Sequence, residues 1–181
     1  MATTSESPTS TAMIEALRAD GPHPDYADKL MLFGRLVGSW DIVGRFFDDE
    51  GNVLKETSGE WHFDWVLEGR VIQDVLISPP RDGRAPGEQS KAYDLAVRAY
   101  DPKIDAWRVT AVFPVYGATV SLIARDHDGE IWQEGRSPDN NLIRWTFSDF
   151  TEDSVRWQGF ISRDEGRTWI RDEDIVLTRR S

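Results

Sequence analysis

The chain has 181 residues, enough for one domain of ordinary size, and 39% of them are hydrophobic, including eight Trp, eight Phe and four Tyr. Its net charge of −11 would be repelled by phosphate backbones and anionic lipid, and no basic stripe with interleaved aromatics offsets this, which argues against nucleic acid and membrane partners. It has no cysteine, hence no disulfide or thiol chemistry, and no apolar run long enough to span a bilayer.

The opening segment is polar and rich in Ser, Thr and Pro, so residues 1–11 read as a disordered tail. It lacks the basic start and apolar stretch of a secretory signal, which makes the cytoplasm the expected compartment. One or two short helices are expected next, within residues 12–37. Thr11 to Ala19 carries Ile14 and Leu17 on one face and stops at Asp20-Gly21-Pro22. A second helix starts at Asp25 or Asp28 and runs through Leu36, with Leu30, Leu32, Phe33 and Leu36 on roughly one face and Gly38 as its end.

From Ser39 onward the period changes to that of strands. Trp40–Phe47 is followed by the turn Asp48-Asp49-Glu50-Gly51-Asn52. Trp61, Phe63 and Trp65 then alternate with Glu60, His62 and Asp64, the two-residue repeat of a half-buried strand. The remaining strands are Val71–Ile77, Ala92–Tyr100, Ala106–Val115, Ala118–Arg125, Ile131–Arg136, Leu142–Phe150, Ser154–Ser162 and Thr168–Arg179. Pro79 to Gly87 is a polar Pro/Gly-rich loop, the expected mobile segment and a potential lid. Turns such as Asp49-Glu50-Gly51, His127-Asp128-Gly129 and Asp164-Glu165-Gly166 supply residues that tolerate the positive φ of tight hairpins. About ten strands joined by short hairpins make a meander, and a long meander closes most simply into a single antiparallel up-and-down β-barrel, with a two-sheet sandwich as the alternative.

Inward faces chosen by apolarity present Trp61, Phe63, Trp65, Trp107, Phe113 and Trp145 to the lumen, together with Val75, Ile77, Leu95 and Val97. Gln73 and Tyr93 share that phase and are the expected polar contacts to a ligand. Glu134 would be an acid or base if buried, and His62 between two carboxylates would suit general-base work if its face pointed inward. For both, the structural alternative is favoured: a satisfied polar group and a solvated stripe. Asp74 and Asp94 fall on faces assigned outward, and Asp172-Glu173-Asp174 reads as an exposed charge run. Three scattered histidines give no metal site, and no phosphate loop, dinucleotide fingerprint or nucleophile elbow is present, so no metal and no cofactor are expected.

Gly38-Ser39-Trp40 at the entry to the first strand resembles the Gly-x-Trp signature of lipocalins and fatty-acid-binding proteins. That resemblance implies a lipocalin-like (calycin) barrel over residues 12–181, in which Trp40 plugs the closed end and Arg179 lies across it. Trp65-Val66-Leu67-Glu68-Gly69-Arg70, with Tyr100-Asp101-Pro102 and Trp107, is similar to a bacterial lipocalin-like group of unknown function. Ser162-Arg163-Asp164-Glu165-Gly166-Arg167-Thr168-Trp169 resembles the Asp-box hairpin of sialidases, where the motif is a folding element.

The first functional expectation is therefore a carrier or sensor that binds a small, largely apolar or aromatic molecule in the lumen. The alternatives are an enzyme on the same scaffold, such as a cyclase, isomerase or hydrolase of a hydrophobic metabolite, and a protein-interaction module with a filled core. A homodimer through a strand edge or the helices stays open.

Overall fold

The computed structural model describes residues 8–180, with side chains from residue 12. The expected disordered tail therefore lies partly outside the described residues. From Pro8 the chain is already helical: α1 covers Pro8–Leu17 and α2 covers Ala27–Gly34, after a single 3-10 turn at Pro24–Tyr26.

Ten strands follow: β1 (Gly38–Phe47), β2 (Val53–Val66), β3 (Val71–Ser78), β4 (Ala92–Asp101), β5 (Ala106–Phe113), β6 (Ala118–His127), β7 (Glu130–Arg136), β8 (Leu142–Ser148), β9 (Ser154–Ser162) and β10 (Ile170–Arg179). Each pairs antiparallel with its neighbours in sequence, and β1 pairs with β10 to close the barrel. The closure register sets Trp40 opposite Arg179 on one side and opposite Trp61 on the other. Closure removes the free strand edges on which a sandwich or an edge-mediated dimer would depend.

Turn chemistry explains the meander. Asp128 and Gly129 have φ of 55° and 90° between the paired residues His127 and Glu130, the two-residue hairpin whose twist matches the flanking strands. At the Asp-box-like hairpin, Asp164 accepts from the Thr168 amide (2.9 Å) and hydroxyl (2.7 Å), and the Ser162 hydroxyl donates to Asp164 (2.8 Å). These donors hold the Asp164 carboxyl down at about 2, led by the Thr168 amide.

One end of the barrel is plugged. Leu30 and Phe33 of α2 and the following Leu36 are almost wholly buried, and the Phe33 ring meets Trp107 edge-on at 4.9 Å. Burying three such side chains supplies roughly 1.5–3 kcal/mol each, more than the intrinsic propensity of an eight-residue helix. Trp40 is fully buried beneath, with its indole N–H on the Leu36 carbonyl at 2.8 Å. The Arg179 guanidinium lies 4.1 Å from the Trp40 ring centre and donates to the Val37 carbonyl at 3.1 Å. The end of α1 is stitched to β2 by the Leu67 amide on the Leu17 carbonyl (2.9 Å) and the Ala19 amide on the Trp65 carbonyl (3.2 Å). Among the described residues no helix is long and apolar enough to cross a membrane.

Candidate functional site

The other end of the lumen is open. Here the inward positions are unusually small: Gly44 on β1, Ala96 on β4, Ala111 on β5 and Gly159 on β9. A Cβ on Gly159 would stand 2.9 Å from Asp172 Oδ1 and 3.3 Å from Glu173 Cβ, so that position stays bare because the acidic end of β10 folds over it. Ala96 and Ala111 border a cavity of about 240 Å³. Its walls are Trp61, Trp145, Trp157 and Phe113, and its rim is formed by Phe46, Lys55, Lys91 and Tyr116. The rings pack against one another as well as the space: Trp61 and Trp157 lie 6.2 Å apart at 70°, and Trp145 and Trp157 lie 5.8 Å apart at 53°. Tyr116, on the β5–β6 turn, reaches the Lys91 carbonyl with its hydroxyl (3.1 Å) and so ties two rim segments together.

Between this cavity and the plugged end sits a buried ion pair. Asp74 and Arg98 are 3% and 2% exposed; Asp74 accepts from the Trp61 indole N–H at 2.9 Å and from Arg98. The guanidinium is also sandwiched near Phe33 (5.1 Å) and Phe63 (5.6 Å). The pair is only partly satisfied, because Arg98 Nε is buried without an acceptor, so part of its desolvation cost is not offset.

Two further carboxyls face the cavity. Burial pushes Asp94 up to about 6, with the charge of Asp74 adding to the shift and the Tyr93 amide opposing it. Its Oδ1 is buried and meets no hydrogen-bond donor. Burial pushes Glu173 further, to about 8, helped by the charges of Asp172 and Asp94 and opposed by Lys55. At pH 7 Glu173 thus holds its proton and can donate, while Asp94 has mostly lost its own and can accept. Glu173 faces inward in step with Ile175 and Leu177, and a bulge between Arg171 and Glu173 drops Asp172 out of the ladder so that it lies on the inner side as well. Only Asp174 of the expected charge run faces out, where it pairs with Arg156 at 2.6 Å.

The structure sorts the residues singled out by sequence. Trp61, Phe113 and Trp145 line the cavity. Phe63, Trp65 and Trp107 are inside the barrel but belong to the packed half. Gln73 and Tyr93 are on the outer face, because antiparallel partners share a face and these two stand opposite Asp64 and Ile77, not opposite inward residues. Val75, Ile77 and Val97 go with them, and Asp74, Leu76, Asp94, Ala96 and Arg98 take the inner phase. Glu134 is also outside, half exposed and paired with Arg144 at 2.8 Å.

His62 lies outside in a different network. Its Nε2 is 2.9 Å from Glu60 and its Nδ1 is 2.9 Å from the Ser39 hydroxyl. Glu60 is 1% exposed although its strand face is the outer one, because the β3–β4 loop folds over it. Arg81 donates to Glu60 through its amide (2.9 Å), its Nε (2.7 Å) and its Nη2 (3.3 Å), and Arg180 adds a further contact at 3.0 Å. Arg81 holds the Glu60 carboxyl down at about 2. The loop expected to be free is therefore fastened at its root, and His62 has no route to the lumen. Among the described residues no group of three or more His, Asp or Glu side chains is arranged to hold a metal ion.

Comparison with known proteins adds the fold alone. No family model matches the chain, and no curated protein matches it significantly. Among solved structures, the S-type phycobiliprotein lyase CPES from Guillardia theta is similar at 13% identity and a TM-score of 0.54, over 83% of this chain and 92% of that one. The redesigned β-barrel mFAP0, solved bound to DFHBI, is similar at 14% identity and a TM-score of 0.41, over 80% of this chain and 99% of that one. A DUF3598-family protein of unknown function from Nostoc punctiforme PCC 73102 is more distant, at 10% identity and a TM-score of 0.27, over 84% of this chain and 99% of that one.

Proposed function

We propose that this barrel binds a compact, largely apolar or aromatic small molecule in the open half of its lumen, as a lipocalin-like carrier or sensor. The observation that carries this reading is the cavity of about 240 Å³ walled by Trp61, Trp145, Trp157 and Phe113, with Asp74, Arg98, Asp94 and Glu173 as the ionisable groups that converge on it. Its volume lies below the roughly 300–1,000 Å³ usual for drug-sized ligands, so the occupant has one or two rings or leaves part of itself in the mouth. The position of Arg179 over Trp40 beside Gly38 supports the lipocalin-like assignment.

Ala111→Leu tests the reading by filling the space. Ala111 is 3% exposed and lines the cavity, so the added atoms replace a void and the melting temperature is expected to hold or rise. Intrinsic Trp fluorescence of the wild-type protein, titrated with one- and two-ring aromatics and medium-chain fatty acids, is expected to show saturable quenching by at least one class. The same ligand should lose its effect on the variant. Equal quenching in both proteins, or a flat response across the panel, would favour the interaction-module reading.

An enzyme in the same cavity is the second reading, favoured by one observation: two carboxyls, Glu173 and Asp94, line the same cavity, and burial raises both. Turnover that disappears in Glu173→Gln while binding persists would support it.

A further inference from the structure

We propose that the cavity selects a compact cation, an amine or amidinium on an aromatic or apolar body, with its N–H groups on Asp94 and Glu173 and its body against Trp61, Trp145 and Trp157. The inference rests on the reading of the lumen as a small-molecule site and names the class of molecule that site takes.

The charge inventory of the cavity supports it. At the floor, Asp74 and Arg98 neutralise each other. The other deep ionisable groups, Asp94 and Glu173 with Asp172 behind them, are all acidic. The two lysines stand at the rim and are exposed, and the Lys55 ammonium already faces the Phe46 ring at 5.0 Å. An anion entering the cavity meets two carboxyl groups before it reaches Arg98, whose Nη1 is committed to Asp74 and whose unpaired Nε is a single donor beside that carboxylate.

Hydrogen bonding points the same way. Asp94 Oδ1 is buried without a donor, and a carboxylate oxygen left unpaired in a low-dielectric site is costly. An N–H from the ligand supplies the missing donor. A neutral apolar occupant would fill the space and leave that oxygen as it is. The indole faces complete the fit, since a desolvated cation gains most from tryptophan rings.

The proton balance is defined. Below its titration point Glu173 is neutral, so bringing a cation beside it favours the ionised form, and its proton leaves to solvent as the ligand enters. Affinity for the cation therefore rises with pH until Glu173 is ionised in the free protein.

Calorimetric titration of the full-length protein with benzamidinium, benzamide and benzoate at pH 7 provides the test, because the three share a ring and nearly a shape and differ in charge. Benzamidinium is expected to bind at least about tenfold more tightly than either of the others. Asp94→Asn should weaken it by about tenfold while leaving benzamide little changed. Its binding enthalpy should vary with the ionisation enthalpy of the buffer, reporting close to one proton released, and Glu173→Gln should abolish that dependence. Benzamide or benzoate binding as tightly as benzamidinium would overturn the cation assignment and leave the lumen reading standing. Benzamidinium binding undiminished in Ala111→Leu would place the cation on the acidic surface and also overturn the assignment. Failure of all three probes with the wild-type protein would overturn the cation assignment, while the lumen reading is decided separately by the fluorescence panel and its Ala111→Leu control.

Discussion

Arg98→Met is expected to destabilise the fold by about 3–5 kcal/mol, read as a shift in the urea midpoint at unchanged slope. The side chain is 2% exposed, and removing it leaves the Asp74 carboxylate 3% exposed with only the Trp61 indole N–H as donor. Methionine fills much of the space between Phe33 and Phe63, so the loss reports on the uncompensated charge more than on packing. The double variant Asp74→Asn/Arg98→Met separates the two contributions. It retains an acceptor for Trp61 and removes both charges, and most of the loss, all but about 1 kcal/mol, should be recovered. Equal destabilisation of the single and double variants would show that packing, and not the orphaned charge, dominates at the cavity floor.

Glu173→Gln is expected to act in the opposite direction, and only above mildly acidic pH. The folded protein holds this carboxyl at about 8 against an ordinary 4.5, so the folded state binds the extra proton over that interval. Stability therefore falls as pH rises from about 4.5 through 8, and above 8 the full penalty of a buried carboxylate is present. Glutamine mimics the protonated group. The variant should match the wild type near pH 4 and be more stable by roughly 2–4 kcal/mol at pH 9, part of the full penalty being relieved by water at the open mouth. Asp94 contributes a smaller slope of the same sign as it titrates up to about 6, and that slope remains in the variant. Urea unfolding of both proteins across pH 4–9 reads the difference directly. Parallel curves would mean that Glu173 is solvated and ionised at neutral pH.

The sequence is legible where one face of a strand is apolar and the other is not. In β2 the alternation of Trp61, Phe63 and Trp65 with Glu60, His62 and Asp64 determines which side faces the core. The tight hairpins are legible for a similarly local reason, since Asp128-Gly129 accepts the positive φ that the turn requires. The ten-strand meander follows from these signals. In β3 and β4 they fail. Both faces carry apolar residues, and the inner face also carries Asp74, Asp94 and Arg98, so a choice by apolarity selects the wrong phase. The available signal was register. Trp61 faces inward and pairs with Leu76, which obliges Asp74 to face inward two residues away.

The cavity was harder to read because it consists of missing atoms. Ala96 and Ala111 carry no signal one at a time and border a void only when the register sets them opposite one another. Glu173 shares the inward phase of Ile175 and Leu177, but its acidic neighbours Asp172 and Asp174 made the segment read as exposed, and the bulge that brings Asp172 inward beside it has no compositional mark. Glu60 was concealed by a long-range contact, the return of Arg81 and Arg180 over an outer face that would otherwise be wet.

The central claim is that the open half of the lumen is a ligand site. It is tested most directly by a crystal structure of the protein grown with the ligand that quenches its Trp fluorescence most strongly. The account predicts density for that ligand between Trp61, Trp145 and Trp157, with a polar atom in hydrogen-bonding reach of Asp94. Density only in the outer groove beside Lys29 and Tyr100, or a lumen closed by its own side chains, would contradict it.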